Sequence, residues 1–85
     1  NSIINTGVIV EHDCNIGSHV HIAPGSTLSG GVSVGDGTHI GTNSTVIENI
    51  AIGEGSLIGA GSVVVSHIGN SVKAFGNPCK EVGVL

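Results

Sequence analysis

The fold is decided by residues 34–63, which read VGDGTH-IGTNST-VIENIA-IGEGSL-IGAGSV when they are divided into groups of six. Each group starts with Val or Ile, and Gly or Asn stands at its fourth place. Internal similarity at a fixed period is the signature of a repeat architecture. Extending the same frame in both directions gives an unbroken aliphatic row: Ile4, Val10, Ile16, Ile22, Leu28, Val34, Ile40, Val46, Ile52, Ile58 and Val64. A six-residue repeat therefore runs from residue 4 to residue 69.

The fourth and fifth places of the repeat predict a turn and an inward side chain. The fourth place holds residue types that best tolerate positive φ: Gly7, Asp13, His19, Gly25, Gly31, Gly37, Asn43, Asn49, Gly55, Gly61 and His67. The fifth place is mostly small or β-branched: Val8, Cys14, Val20, Ser26, Val32, Thr38, Ser44, Ile50, Ser56, Ser62 and Ile68. A short strand, a left-handed turn residue and a compact inward side chain thus recur in every repeat.

This pattern predicts an all-β fold, a single-stranded left-handed parallel β-helix, over residues 1–69. Three repeats, each with one strand, close one coil, so the eleven repeats predict three to four coils whose aliphatic side chains stack inside. Fifteen glycines argue against an α-helical alternative. The period fails from Asn70 onward, and residues 70–85 are predicted to form a tail that turns back and caps the last coil.

Composition excludes several function classes. The net charge is −4 and only two residues are basic, so a nucleic-acid-binding surface is not expected. No apolar run approaches the length of a membrane span. Cys14 and Cys79 lie far apart in the sequence and suggest neither a disulfide framework nor a zinc ribbon, so a reducing cytosol is the expected compartment. Because the chain starts at Asn1 without a Met or a signal-like segment, we expect it to be a piece of a longer protein.

The repeat pattern is similar to that of the hexapeptide-repeat acyltransferases. Three stretches, residues 10–14 (VEHDC), 21–25 (HIAPG) and 75–80 (FGNPCK), resemble the sialic-acid O-acetyltransferase family and the related bacterial amino-sugar N-acetyltransferases. The resemblance implies direct acetyl transfer from acetyl-CoA to a hydroxyl or amino group of a sugar or sugar nucleotide, in the bacterial cytoplasm. It also implies an N-terminal α/β domain that binds the sugar, and residues 1–85 do not contain such a domain.

The resemblance assigns three catalytic roles. His12 matches the family's general base, and Asp13 matches the carboxylate that orients it, with Glu11 as an alternative for that role. Gly30 matches a glycine whose N–H stabilises the oxyanion. A neutral imidazole near its unperturbed pKa is suited to take a proton from an attacking hydroxyl or amine.

The resemblance also assigns acetyl-CoA contacts to His21, near the thioester, and to the backbone of Thr42 and Ala60, along the pantetheine arm. The spacing of these residues carries geometric information. Thr42 and Ala60 are separated by three repeats, or one full coil, as are His12 and Gly30, so each pair shares a column of the helix. His12 and His21 are separated by half a coil and face opposite sides of one chain. If both serve one site, that site lies between subunits, and a homotrimer is expected.

Several of the polar residues also permit other roles. His21 and His39 share a column, but a metal site of the hexapeptide-repeat carbonic anhydrase type needs a third histidine, so no metal is predicted. Lys73 and Lys80, the two basic residues, are either solvated or contact the CoA phosphates. The alternative to an enzyme is a non-catalytic β-helical module for trimerisation or binding.

Overall fold

The computed structural model describes residues 2–85, which form strands joined by tight turns. Each strand pairs in parallel with the strand three repeats further along, as Ile3 pairs with His21 and His21 with His39. The predicted left-handed parallel β-helix, of about four turns, is confirmed. Its strands are β1 (Ile3–Ile4), β2 (Ile9–Val10), β3 (Asn15–Ile16), β4 (His21–Ile22), β5 (Thr27–Leu28), β6 (Ser33–Val34), β7 (His39–Ile40), β8 (Thr45–Val46), β9 (Ala51–Ile52), β10 (Leu57–Ile58), β11 (Val63–Val64), β12 (Val72–Gly76) and β13 (Cys79–Val84). Within residues 2–85, no helix is long and apolar enough to cross a membrane.

The strands form three faces. Face 1 contains β1, β4, β7, β10 and β12, with β13 at its end; face 2 contains β2, β5, β8 and β11; face 3 contains β3, β6 and β9. Turns stack at the three corners between them. We name these the His12 corner, between faces 2 and 3 (residues 12–13, 30–31 and 48–49), the Thr42 corner, between faces 1 and 2 (6–7, 24–25, 42–43 and 60–61), and the Asp36 corner, between faces 3 and 1 (18–19, 36–37 and 54–55).

The second residue of each short strand points into the helix. Along this inward row, every residue from Ile22 to Val64 is at most 3% exposed. The first coil is covered on one side only, and Ile4 and Val10 are 50% and 38% exposed. Because hydrophobic stabilisation follows the apolar area removed from water, at roughly 25 cal/mol per Å², the later coils contribute most to the stability of the fold.

Buried hydroxyls at the fifth place of the repeat connect successive coils. Ser26 Oγ donates to the Gly41 carbonyl at 2.8 Å and accepts from the Ser44 N–H at 3.3 Å. Ser44 Oγ in turn donates to the Gly59 carbonyl at 3.0 Å. No buried side-chain polar atom within residues 2–85 lacks a partner. Small hydroxyl residues therefore fit this interior without the cost of an unpaired polar group, about 1–3 kcal/mol each.

The turn row adopts positive φ at ten of its eleven positions, and the prediction was wrong at His67. The reason is a shorter last coil: Ile68 pairs with Ile52, so the turn that follows β11 is two residues shorter than in a regular coil. His67 takes a different role, because its Nδ1 accepts a hydrogen bond from the Ala51 N–H at 2.9 Å. Its imidazole thus accepts the hydrogen bond of a backbone N–H at the edge of β9.

The tail keeps part of the helical geometry. β12 pairs in parallel with β10 through Leu57 and Lys73, again two residues short of a regular coil, and adds a last rung to face 1. β13 returns antiparallel to β12. Glu81 Oε2 accepts from the Gly69 N–H at 2.9 Å, which ties β13 to the end of the last coil. Phe75, the one aromatic Phe, Tyr or Trp residue of the chain, packs against Gly59 and remains 60% exposed.

Candidate functional site

His12 and Asp13 form the only close contact between a basic and an acidic side chain within residues 2–85. They occupy the turn after β2, where Asp13 adopts φ 62°. His12 Nδ1 lies 3.2 Å from Asp13 Oδ2, and the two side chains are 82% and 87% exposed. Because a carboxylate only accepts, this bond requires Nδ1 to carry the proton, which leaves Nε2 with a free lone pair. Of the two carboxylates considered for this role, Asp13 rather than Glu11 contacts His12.

Gly30 lies one coil below His12 and leaves room for its ring. A Cβ at Gly30 would lie 3.1 Å from His12 Cε1 and 3.3 Å from Nε2, so the imidazole sits against the glycine backbone. The Gly30 carbonyl accepts from the Asn49 N–H at 3.0 Å, whereas the Gly30 N–H donates to none of the backbone hydrogen bonds of residues 2–85. The predicted oxyanion donor therefore lies beside the predicted base with its N–H available.

A cavity of about 350 Å³ opens at the His12 corner. It is lined by His12, Asp13, Gly30, Gly31, Glu48 and Asn49, two residues from each of three successive coils. All three predicted catalytic residues belong to it. Glu48 lies in the same column, two coils beyond His12, with Gly30 between them. An imidazole, a glycine backbone and two carboxylates thus line one small space.

His21 lies on face 1, in β4, away from this cavity. Asn5 Nδ2 contacts its Nε2 at 2.9 Å and donates to the Ile22 carbonyl at 3.1 Å. Because that carbonyl can only accept, Asn5 presents its amide nitrogen to His21, and His21 Nε2 is an acceptor. The His21 proton therefore lies on Nδ1. The His39 ring packs against that of His21, with centroids 4.5 Å apart and planes tilted by 49°. Burial, followed by the charge of His21, lowers the pKa of His39.

Thr42 and Ala60 lie on successive rungs of the Thr42 corner, and both are exposed. The Gly61 N–H donates to the Thr42 carbonyl at 2.8 Å, which connects the two rungs. The intervening backbone is closely packed, since a Cβ at Gly41 would lie 2.6 Å from the Ala60 nitrogen. Because the side chains here are small, they cover little of the backbone, and an extended ligand could approach it.

One chain brings together only part of the predicted site. His12, Asp13 and Gly30 line one cavity, at a corner that faces away from face 1. His21 lies on face 1, and Thr42 and Ala60 lie at the Thr42 corner. This arrangement agrees with the expectation from spacing that His12 and His21 do not meet within a chain.

Sequence reasoning missed two residues at these positions. Glu48 follows His12 by six repeats, or two full coils, so the same period that paired His12 with Gly30 contained the signal for it. Asn5 and His21 are not separated by a whole number of coils. Their contact arises because the Asn5 side chain reaches sideways across the rung, which periodicity does not predict. Within the described residues, 2–85, no group of three or more His, Cys, Asp or Glu side chains is arranged to hold a metal.

Two family models match the chain. One, described as bacterial transferase hexapeptide (six repeats), matches residues 31–66, and the other, hexapeptide repeat of succinyl-transferase, matches residues 7–48. Together they span residues 7–66. A comparison with curated proteins finds no match.

Solved structures of acetyltransferases are similar to the chain over nearly its whole length. A point mutant of the perosamine N-acetyltransferase of Caulobacter crescentus, in complex with CoA and GDP-perosamine, is 45% identical over 96% of this chain and 39% of that protein, with a TM-score of 0.95. The acetyltransferase domain of PglB from Neisseria gonorrhoeae, in complex with acetyl coenzyme A, is 38% identical over 95% of this chain and 40% of that domain, with a TM-score of 0.94. A maltose O-acetyltransferase of Clostridium difficile is 27% identical over 94% of this chain and 57% of that protein, with a TM-score of 0.80. The chain thus spans about two fifths of the length of the first two structures.

Proposed function

The chain belongs to the hexapeptide-repeat bacterial transferases, and on that premise we propose that it is the β-helix of an acetyltransferase that acts on a sugar or sugar nucleotide. The observation that carries the proposal is the His12–Asp13 pair held over the backbone of Gly30 in one cavity. The similarity to structures that contain CoA or acetyl-CoA supports acetyl-CoA as the donor. We infer a bacterial cytoplasmic location from that donor.

The geometry of the His12 corner supports direct transfer with His12 as general base. Asp13 accepts a hydrogen bond from the His12 Nδ1–H, so Nε2 is free to take a proton from the acceptor hydroxyl or amine as its oxygen or nitrogen attacks the thioester carbonyl. A C–O or C–N bond forms, the C–S bond breaks, and the proton passes from His12 to the departing CoA sulfur. In this proposal the Gly30 N–H donates to the oxyanion that develops between these events.

The binding of acetyl-CoA requires a second chain in this proposal. His21, Thr42 and Ala60 would contact the thioester end and the pantetheine arm, but they lie on other sides of the helix from the His12 cavity. A homotrimer would bring face 1 of one chain against the His12 corner of the next and form three equivalent sites. The exposed His12–Asp13 pair would gain strength there, because an ion pair shielded from water is screened less than an exposed one.

The proposal is tested by replacing His12 with Ala and measuring acetyl transfer from acetyl-CoA to a panel of nucleotide-linked amino and hydroxy sugars. We expect turnover to fall by roughly a hundredfold to ten-thousandfold, the usual contribution of a general base. The matched control is His19→Asn, an exposed histidine at φ 57° in the Asp36 corner, where Asn tolerates the backbone. Its activity should equal that of the unmodified chain.

Thermal unfolding and acetyl-CoA binding are measured alongside. An unchanged melting temperature would show that the loss in His12→Ala is chemical. Turnover of His12→Ala within a few-fold of the unmodified chain would exclude His12 as the base. Acetyl-CoA binding is measured by calorimetry for the unmodified chain and for His21→Ala. If neither binds acetyl-CoA, the chain is instead a non-catalytic trimerisation or binding module.

A further inference from the structure

We propose that Glu48 is the residue that selects an amine as the acceptor, so that this chain acts on an amino sugar rather than on a plain hydroxyl. The inference rests on the acetyl transfer proposed for the same cavity. It assigns to Glu48 a role in binding the acceptor nitrogen, opposite the base that removes its proton.

The position of Glu48 is the first argument. It lines the cavity together with His12 and Gly30, and it belongs to their column of the His12 corner. Gly30, on the rung between them, has no side chain, so no side chain of that column lies between the imidazole and the carboxylate. A group bound over Gly30 is therefore flanked by His12 on one side and Glu48 on the other.

The charge of the cavity is the second argument. Its lining contains two carboxylates and neither of the two lysines, Lys73 and Lys80, which lie in β12 and β13. Asp13 is occupied by His12 Nδ1, and the Glu48 carboxylate has no ion-pair partner within residues 2–85. A sugar hydroxyl can donate to this carboxylate, but a protonated amine adds a full opposite charge, and hydrogen bonds to charged groups contribute about 1.5–3 kcal/mol.

The proposed role is consistent with the proton balance of the reaction. A protonated amine enters the cavity and binds to Glu48. It loses one proton to solvent before it can attack, and a second to His12 Nε2 as the C–N bond forms. The C–S bond then breaks and His12 delivers its proton to the CoA sulfur. The products are the amide, the CoA thiol and one released proton, with the Glu48 carboxylate unchanged.

The test replaces Glu48 with Gln and compares two acceptors that differ in one group: GDP-perosamine, which is bound in the Caulobacter structures, and the GDP-sugar with a hydroxyl in place of its amine. For Glu48→Gln we expect the KM of the amine to rise about tenfold to a hundredfold, the equivalent of a lost charge-assisted hydrogen bond. The KM of the hydroxyl acceptor should rise much less, because only its hydrogen bond to a charged acceptor is weakened, and that of acetyl-CoA should stay the same. The control is Glu54→Gln, one repeat later at the equivalent place of the Asp36 corner.

A binding measurement separates this inference from the proposed function. The imidazole NMR signals of the five histidines are followed while each GDP-sugar is added without acetyl-CoA, and His12 is assigned from His12→Ala. The role of Glu48 is supported if the amine shifts the His12 signal in the unmodified chain and in Glu54→Gln but not in Glu48→Gln. This holds even if no acetyl transfer occurs. Equal responses of the unmodified chain and Glu48→Gln to the amine would overturn it, even if acetyl transfer proceeds.

Discussion

Glycine occupies two kinds of position in this β-helix, and Gly30 and Gly37 represent them. Gly37 adopts φ +73°, and a Cβ there would meet nothing closer than 4.0 Å. Gly30 is not in the left-handed region, but a Cβ would lie 3.1 Å from the His12 ring. The first glycine is required by its backbone conformation, and the second by the close approach of a side chain.

This difference predicts opposite results for two Ala substitutions. Gly37→Ala should lower the free energy of unfolding by about 1 kcal/mol through backbone strain and leave acetyl transfer unchanged. Gly30→Ala should change stability little, because the exposed His12 ring can move aside. It should nevertheless lower kcat by roughly tenfold to a hundredfold, since a small displacement of a catalytic group is costly. Urea unfolding and steady-state kinetics of both variants measure this, and a Gly30→Ala variant with full activity would contradict the close packing of base and backbone.

The contact between the rings of His21 and His39 predicts a pH dependence of stability. Burial, and then the charge of His21, hold the pKa of His39 below its ordinary value of 6.5 in the folded chain. As the pH falls below 6.5, the unfolded chain binds a proton at this position that the folded chain does not, so stability decreases on the acid side and is unaffected at higher pH. His39→Gln should therefore show a smaller loss of stability between about pH 7.5 and pH 5.

The measurement is the urea midpoint of unfolding at several pH values in this range. His19→Asn, which removes an exposed histidine from another corner, is measured alongside as the control. Parallel curves for His39→Gln and the unmodified chain would show that His39 does not titrate differently in the folded state.

At the scale of the strand, most of the structure could be predicted from the repeat. The aliphatic row from Ile4 to Val64 predicts the second residue of all eleven short strands, because each of these side chains must stack on its counterpart one coil away. The exceptions at His67 and β12 have one cause, the last coil that is shorter by two residues. Periodicity predicts the regular coil but not its last deviation, which depends on how β12 and β13 cover the end.

Position along the helix, rather than residue type, should decide the cost of a core substitution. Ile4 and Ile40 belong to the same inward column of face 1, two coils apart, yet Ile4 is 50% exposed and Ile40 is fully buried. Ile40→Ala should lower the free energy of unfolding by about 2–5 kcal/mol, as large-to-small core changes do. Ile4→Ala should cost less than half of that in urea unfolding of the same 85-residue chain, and equal costs would mean that another part of the assembly covers the first coil.

At the scale of the molecule, the coil period assigned His12 and Gly30 to one corner and His21 to another face, and the structure places them there. A single sequence does not supply the neighbouring chain that the proposed site requires, because intersubunit contacts leave no period in the chain. The repeat period also does not predict contacts such as that of Asn5 with His21, because these depend on how far a side chain reaches. The assembly therefore needs a test in which one chain supplies what another lacks.

Mixed trimers provide that test. If each site combines His12 of one chain with His21 of the next, His12→Ala and His21→Ala chains are each inactive alone but complement one another. After the two are unfolded in urea and refolded together in equal amounts, about one site in four has both histidines intact, because each site draws independently from two chains. Acetyl transfer should recover toward a quarter of that of the unmodified chain.

The control mixture pairs His12→Ala with Gly30→Ala, whose residues line the same cavity of one chain, so no combination restores a site. The masses of the trimers show whether the two variants have mixed in each sample. This check is needed because trimers that contain only one variant would give no recovery, whatever the arrangement of the site. No recovery in the first mixture, once exchange is verified, would show that His12 and His21 do not serve one site from different subunits. Recovery in the control would show that His12 and Gly30 do not act from one chain.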